Sequence, residues 1–344
     1  MTAAFIADHG ALAAGTFVLS ALLSWLVIRL GIVDDPNQRS SHDRPVARGG
    51  GIAIVGAVAA AAAVLWAGGG PMPPGAAALA AAALGMAAVG LADDLRLLRT
   101  FRGKLAAQVA AAVLVAASGL VVERLWLPFA GEIALGWWGW PLTVLWIVGL
   151  TNAFNFMDGL DGLAGGAAAI AGGFFAAIAA ATAAGPISLF VAAACAGFLL
   201  LNAPPARLFM GDVGSQFLGF AFAALAVAAT VEQPAVPFLA MPVLFLHFIA
   251  DTAFTLGRRL AAGETVTQAH RGHLYQLLNR TGWPHARVTL LLAAMGLAQG
   301  AAALLLADGA GGPALAAVLA AQSVYAVLVV RRARRRGLIG SAPK

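Results

Sequence analysis

Long apolar runs alternate along this chain with short polar segments. Charge-poor stretches fall at 11–30, 49–69, 76–92, 104–122, 137–153, 163–184, 186–202, 214–231, 235–256, 286–307 and 313–330. A helix needs about 20 apolar residues to cross a bilayer, so the pattern predicts about eleven transmembrane helices. An odd number of crossings puts the two termini on opposite sides. Between the runs lie polar segments rich in Asp, Asn, Arg and His, and these carry the chemistry-capable side chains.

Composition narrows the class. Of the 344 residues, 61% are hydrophobic and 10% charged, against roughly 25% charged in a typical soluble domain. A water-soluble globule of this size could not cover its surface with so few charges. Fibrous, disordered and disulfide-framework classes are excluded too, since the single cysteine, Cys195, lies inside an apolar run. The expected fold is all-α: one polytopic integral membrane domain over 1–344, with a basic tail at 331–344. The N-terminus has no basic segment before its first apolar run and carries Asp8, so that run reads as a retained helix, not a cleaved signal.

The net charge is +6. In a soluble protein such an excess points to nucleic acid. Here the positive-inside rule accounts for it, and nucleic acid is not an expected partner. With the N-terminus outside, the inner loops are about 31–48, 92–103, 154–162, 203–213 and 257–285, plus the tail. Those loops and the adjoining helix ends hold every Lys and Arg except Arg124. The Arg331–Arg336 cluster anchors this topology and attracts anionic lipid. The outer loops read as short and plain. No internal repeat with paired Gly/Pro-broken helices, a common transporter feature, is visible.

The inner loops bring five carboxylates to the membrane edge: Asp93, Asp94, Asp158, Asp161 and Asp212. Gathered carboxylates repel one another unless a cation compensates. A hard divalent cation with oxygen ligands fits, and Mg²⁺ is the usual one when phosphates share the coordination. The structural alternative is that these acids cap helices or pair with Arg96, Arg99 or Arg207; Asp161 and Asp212 stand just before apolar runs, where N-caps belong. Asp158 and Asp161 are three apart, so a helical turn would put them on one face, with Asn155 a step earlier. Asp93 and Asp94 are adjacent and cannot both point the same way on a helix. Gly211-Asp212-Val213-Gly214-Ser215 opens a predicted helix whose free N–H groups could hold phosphate. In the 31–48 loop, His42, Arg44 and Arg48 could clamp phosphates. His270, His273 and Gln276 could share one helical face. Zinc is not expected, because His285 is the only nearby further ligand and no His-Glu-x-x-His is present. Asp251, one turn after His247, sits in an apolar run and is either functional or paired with Arg258 or Arg259.

At these residues the sequence resembles the polyprenyl-phosphate N-acetylhexosamine-1-phosphate transferases. The matching pieces run in family order: the Asp34–Gly51 loop, Ala92-Asp93-Asp94, Asn152–Ala164, Phe209–Ser215, Asp251-Thr252 and His270–Gln276. The Asn-Phe-Met-Asp-Gly-Leu-Asp-Gly-Leu-Ala string is the most specific. The resemblance implies catalytic roles for Asp93, Asp94, Asp158 and Asp161, with either Asp93 or Asp94 as base. It implies a Mg²⁺ site at Asp212 with Asn155, where Mn²⁺ could substitute. Substrate contacts are implied for His42, Arg44, Arg48, Asn152, Phe209, Gly211, Ser215, Asp251, His270, Arg271 and His273. The implied partners are undecaprenyl phosphate, a UDP-N-acetylhexosamine and the lipid bilayer, with a homodimer as the assembly. The peptidoglycan branch carries adjacent histidines where this chain has His270-Arg-Gly-His273, and a Lys-containing loop where it has Pro45-Val-Ala-Arg48. The resemblance therefore leans to the O-antigen and exopolysaccharide initiators of the bacterial inner membrane, with the active site facing the cytoplasm. A transporter of lipid-linked sugars and a catalytically silent scaffold are the competing readings.

Overall fold

A computed structural model describes residues 3–30, 33–34, 46–98, 100–128, 130–265 and 271–339. Its helices are α1 (Ala3–Leu30), α2 (Gly50–Ala67), α3 (Ala76–Asp94), α4 (Phe101–Ala117), α5 (Gly139–Met157), α6 (Leu163–Ile178), α7 (Ala184–Asn202), α8 (Asp212–Glu232), α9 (Ala240–Leu244), α10 (Leu246–Ala261), α11 (Leu274–Arg280), α12 (His285–Ala307) and α13 (Gly312–Arg335). Ala and Leu dominate them; both form helix readily, and Ala lets backbones approach closely. Every one of the eleven apolar stretches is helical. Seven of the helices (α1, α2, α3, α7, α8, α12 and α13) are long and apolar enough to cross a membrane, and the chain is a membrane protein.

Three expectations need correction. The 235–256 stretch is two helices, α9 and α10, meeting at Phe245. The loop after α4, expected to be plain, is not: β3 (Arg124–Leu127) and β4 (Gly131–Ala134) form an antiparallel hairpin there. A small sheet also stands at the other end of the bundle, where β2 (Val46–Arg48) pairs antiparallel with β1 (Val33–Asp34) and parallel with β5 (Leu208–Phe209).

The bundle is built round α8, whose residues from Val213 to Ala229 are all buried. Within that buried stretch the polar side chains, Ser215 and Gln216, stand in its first turns. Large apolar side chains on the outer helices, such as Leu22, Val64, Leu145, Leu290 and Leu328, are exposed, as suits contact with hydrocarbon. The helix ends that carry basic residues gather at one end. Arg29 ends α1 beside the start of α2, Arg258 on α10 reaches the Gly272 carbonyl, and Arg332 on α13 reaches Thr281. Arg124 lies at the opposite end, in the hairpin, paired with Glu132.

Candidate active site

The ends of α3, α4, α5 and α8 meet at the basic end of the bundle. Close approach makes this possible: a Cβ at Gly90 would collide with the Asp212 carbonyl, so only glycine lets α3 lie against the start of α8. Asp94 then reaches across. Its Oδ1 accepts from the Asp212 N–H at 2.9 Å and its Oδ2 from the Val213 N–H at 3.0 Å. It is the N-terminal cap of α8, supplied by another helix. Gly211 precedes Asp212 with φ +76°, a conformation that favours glycine. A side chain there would also stand 2.6 Å from Asp94 Oδ2.

This corrects two expectations. Neither Asp212 nor Asp161 is an N-cap residue: Gly211 and Gly162 hold those places. The first amides of α8 are taken up by Asp94, so they do not stand open to phosphate.

Cations bind the carboxylates together. Lys104, in the first turn of α4, donates to Asp93 Oδ2 and to Asp212 Oδ2, both at 2.6 Å. Arg48 Nη2 lies 2.6 Å from Asp94 Oδ1 and 3.7 Å from Asp212 Oδ1. The small sheet places Arg48: its strand β2 runs parallel to β5, with Arg48 in register with Phe209, two residues before Gly211. The adjacent aspartates have separate tasks. Asp94 is buried and caps a helix; Asp93 is 29% exposed and faces Lys104.

A polar ladder runs down from this layer. Gln108, one turn below Lys104, donates to Gln216, one turn beyond Asp212, at 2.8 Å. Asn152 donates to Gln108 Oε1 at 2.6 Å and to the Val148 carbonyl. Asn155 donates to Ser215 Oγ at 2.8 Å. Asn152 and the fully buried Ser215, expected to touch substrate, are therefore engaged inside the ladder. Lys104, Gln108 and Gln216 were not singled out from the sequence. The usable signal was a polar pair spaced four apart at the same end of two apolar runs.

Asp158, in the turn after α5, is partly buried, and its carboxyl is pushed up to about 7 by burial and by the charges of Asp212 and Asp94, against the pull of Arg48. It joins the field of the cluster. Asp161 does not belong to the Lys104–Arg48 carboxylate group. It accepts from the Ala206 N–H and pairs with His285 at 3.0 Å, and its carbonyl accepts from Thr289. Burial raises its carboxyl, but the His285 hydrogen bond and the Ala206 N–H outweigh that and hold it below its ordinary value. It ties the α5–α6 turn to α12.

Asp251 is also corrected. It lies at 1% exposure, pairs with neither arginine, and gives both oxygens to His273 and the start of α11. His273 and Gln276 are not on one free helical face: His273 is the N-cap of α11, and its N–H donates to Gln276. Arg271 is held at its carbonyl by Arg280. His42, Arg44 and His270 lie outside the described residues.

The family model described as glycosyl transferase family 4 matches residues 76–230, the segment from α3 to α8 that carries every member of the carboxylate cluster. A probable undecaprenyl-phosphate N-acetylglucosaminyl 1-phosphate transferase of Bacillus subtilis is 32% identical over 297 residues, covering 84% of this chain and 81% of the relative. The chain belongs to glycosyl transferase family 4, in the polyprenyl-phosphate N-acetylhexosamine-1-phosphate transferase superfamily. A decaprenyl-phosphate N-acetylglucosaminephosphotransferase of Mycolicibacterium smegmatis is 31% identical over 312 residues, 80% of this chain and 76% of that one. A phospho-N-acetylmuramoyl-pentapeptide-transferase of Halalkalibacterium halodurans is 40% identical, but over 168 residues, 45% of this chain and 52% of the relative. The family match stops short of Arg48, Asp251 and His273, which join the site from outside it.

Proposed function

We propose that this protein transfers an N-acetylhexosamine 1-phosphate from a UDP-sugar to undecaprenyl phosphate, releasing UMP. The observation that carries this reading is the layer of Asp93, Lys104, Asp212, Arg48 and Asp94 at one end of an apolar bundle. The acceptor has a tail soluble only in lipid and a charged head; the donor is soluble in water. A charged layer at a membrane edge is where both can be held.

The bond changes are simple. An oxygen of the acceptor phosphate attacks the β-phosphorus of the UDP-sugar. The bond from that phosphorus to the bridging oxygen breaks, and the electron pair leaves with UMP. Lys104 and Arg48 offset the charge of the phosphates. Asp93, the more exposed carboxylate of its pair, takes the last proton of the acceptor phosphate. One diphosphate replaces another, so the reaction is nearly isoenergetic and reversible.

Mg²⁺ fits the donor set. Asp93, Asp94, Asp158 and Asp212 bring four carboxylates, and Lys104 and Arg48 return two positive charges. Burial first, and then the charges of Asp212 and Asp94, raise the carboxyl of Asp158. Asp94 is committed to α8 and Asp93 to the proton, which leaves Asp212 and Asn155 to hold the ion. Among the described residues no three His, Cys, Asp or Glu side chains form a ready-made cage. Mg²⁺ does not need one, because it keeps waters and takes phosphate oxygens beside one or two carboxylates. When bound it would polarise the diphosphate and balance its charge.

The reading extends to eleven crossings of the bacterial inner membrane, with the site on the cytoplasmic side; the one-sided basic residues support this. It extends also to initiation of a cell-envelope glycan of the O-antigen or exopolysaccharide type. The relatives aligned over most of the chain are N-acetylglucosamine enzymes, whereas the muramoyl-pentapeptide one aligns over about half of it.

The test is UMP release by purified protein in detergent with undecaprenyl phosphate, Mg²⁺ and a panel of UDP-N-acetylhexosamines. Release is expected with one donor, and it is abolished by a chelator or by Asp212→Ala. Folded protein that releases no UMP with any donor would overturn the reading in favour of a silent scaffold.

A further inference from the structure

We propose that Asp251 is a positioning residue that holds His273 and, through Tyr275, the Asn155–Asp158 turn in one register at the reaction site. The proposal rests on the transferase reading above. Asp251 lies in α10, outside the carboxylate layer, and all but one of its hydrogen bonds run to the segment that opens α11.

Its Oδ1 accepts from the Leu274 N–H at 2.9 Å and meets His273 Nδ1 at 3.0 Å. Its Oδ2 accepts from the Tyr275 N–H at 3.1 Å. Thr255, one turn further along α10, donates to Oδ1 at 3.1 Å and fixes the carboxylate from behind. A carboxylate on Nδ1 sets both the ring's orientation and the nitrogen that carries its proton. The same carboxylate aligns the backbone of Tyr275, whose side chain is fully buried and whose hydroxyl donates to the Phe156 carbonyl at 2.9 Å. Phe156 lies between Asn155, which holds Ser215 at the start of α8, and Asp158, which feels the charges of Asp212 and Asp94. The Phe156 ring also packs against the His273 ring, with centroids 5.7 Å apart. One buried carboxylate thus sets two inputs to the site: an imidazole and the carbonyl of a turn beside it.

The segment is held from its other side as well. Arg258, on α10, donates to the Gly272 carbonyl, and Arg280, on α11, donates to the Arg271 carbonyl. The backbone on both sides of His273 therefore has fixed partners, and Asp251 governs the ring itself.

The experiment is a double-mutant cycle on the full chain in detergent, with UMP release as the readout. Asp251→Asn keeps the shape but sets an amide where two N–H donors and an imidazole need a carboxylate. It is expected to lower kcat about tenfold or more, in the range seen when the partner orienting a functional histidine is removed. His273→Gln is expected to do the same. If Asp251 acts through His273, the second substitution adds less than threefold to the first. Losses that multiply in full overturn the proposal while leaving the transferase reading intact. A wild-type protein that releases no UMP overturns both. If Asp251→Asn does not fold, Tyr275→Phe decides, since it removes only the hydroxyl on Phe156. A severalfold fall in kcat at unchanged melting temperature supports the proposal, and kcat within twofold of wild type overturns it.

Discussion

Replacing Lys104 by Met tests the centre of the site. The ammonium sits 2.6 Å from both Asp93 and Asp212, with 15% of its side chain exposed. At an effective dielectric of about 20, each such contact is roughly 6 kcal/mol of Coulomb energy. Most of this is offset by the desolvation of the three groups, so the figure is not a stability. The relevant quantity is the cost of leaving partners unpaired, about 3–5 kcal/mol when one member of a buried pair is removed. Arg48 remains 3.7 Å from Asp212, which favours the lower end, about 3 kcal/mol. A loss of that size at the transition state is about a hundredfold in rate. Lys104→Met is therefore expected to cut UMP release about a hundredfold and to lower the melting temperature by several degrees. Lys104→Arg keeps the charge and should recover part of both. The assay is UMP release at saturating donor, beside thermal unfolding of the same preparation. Retention of more than a third of wild-type release, with an unmoved melting temperature, would refute the assignment of Lys104 as the bridging cation.

Three further outcomes follow from the geometry. Asp158 titrates near 7 in the fold and near 3.8 when unfolded, so the unfolded chain loses its proton first. Its contribution to stability therefore falls as pH rises from about 4 to 7 and is level above. In chelator, Asp158→Asn should flatten the melting temperature between pH 5 and 7, and parallel curves for the two proteins would count against this. Gly90→Ala forces a side chain into the Asp212 backbone and should cost about 1–3 kcal/mol as well as UMP release, while Gly85→Ala, with nothing within 4 Å, should be harmless; equal melting temperatures would show that α3 and α8 are not locked at Gly90. Asp161 lies below its ordinary value of 3.8, so the stability from its His285 tie is present at neutral pH and lost as pH falls through the acid range. A cycle of Asp161→Asn with His285→Gln at pH 7 should show coupling of about 1 kcal/mol, and strict additivity would dissolve the pair.

The apolar helices were legible because hydropathy over about 20 residues is a strong local signal. The break at Phe245 was not, since an apolar run reads alike whether the helix is straight or interrupted. The β3–β4 hairpin had a signal, Arg124-Leu-Trp-Leu and Gly131-Glu-Ile-Ala on either side of Pro128, but it was hidden beside a longer apolar run. At the site, the sequence marked the carboxylates by type and by their place at the ends of apolar runs, and it could not divide their labour. Asp94 caps α8 from a position 118 residues away, and only the packing of α3 on α8, with glycine at position 90, makes it a cap.

The same packing explains why Lys104 escaped notice. In the sequence it is one of many basic residues at the inner ends of helices, and the positive-inside rule accounts for it fully. In the fold, the first turn of α4 stands beside both α3 and α8, and Lys104 reaches one carboxylate from each of those two helices. The sequence offers Arg48 as a phosphate clamp but not its carboxylate partner, because Arg48 reaches Asp94 only where β2 adds to β5. A topology rule says which side a basic residue is on, and helix packing says what it neutralises. The cluster holds more carboxylates than these two cations balance, and in the proposed reaction a divalent ion would offset that remaining negative charge and so let phosphates approach.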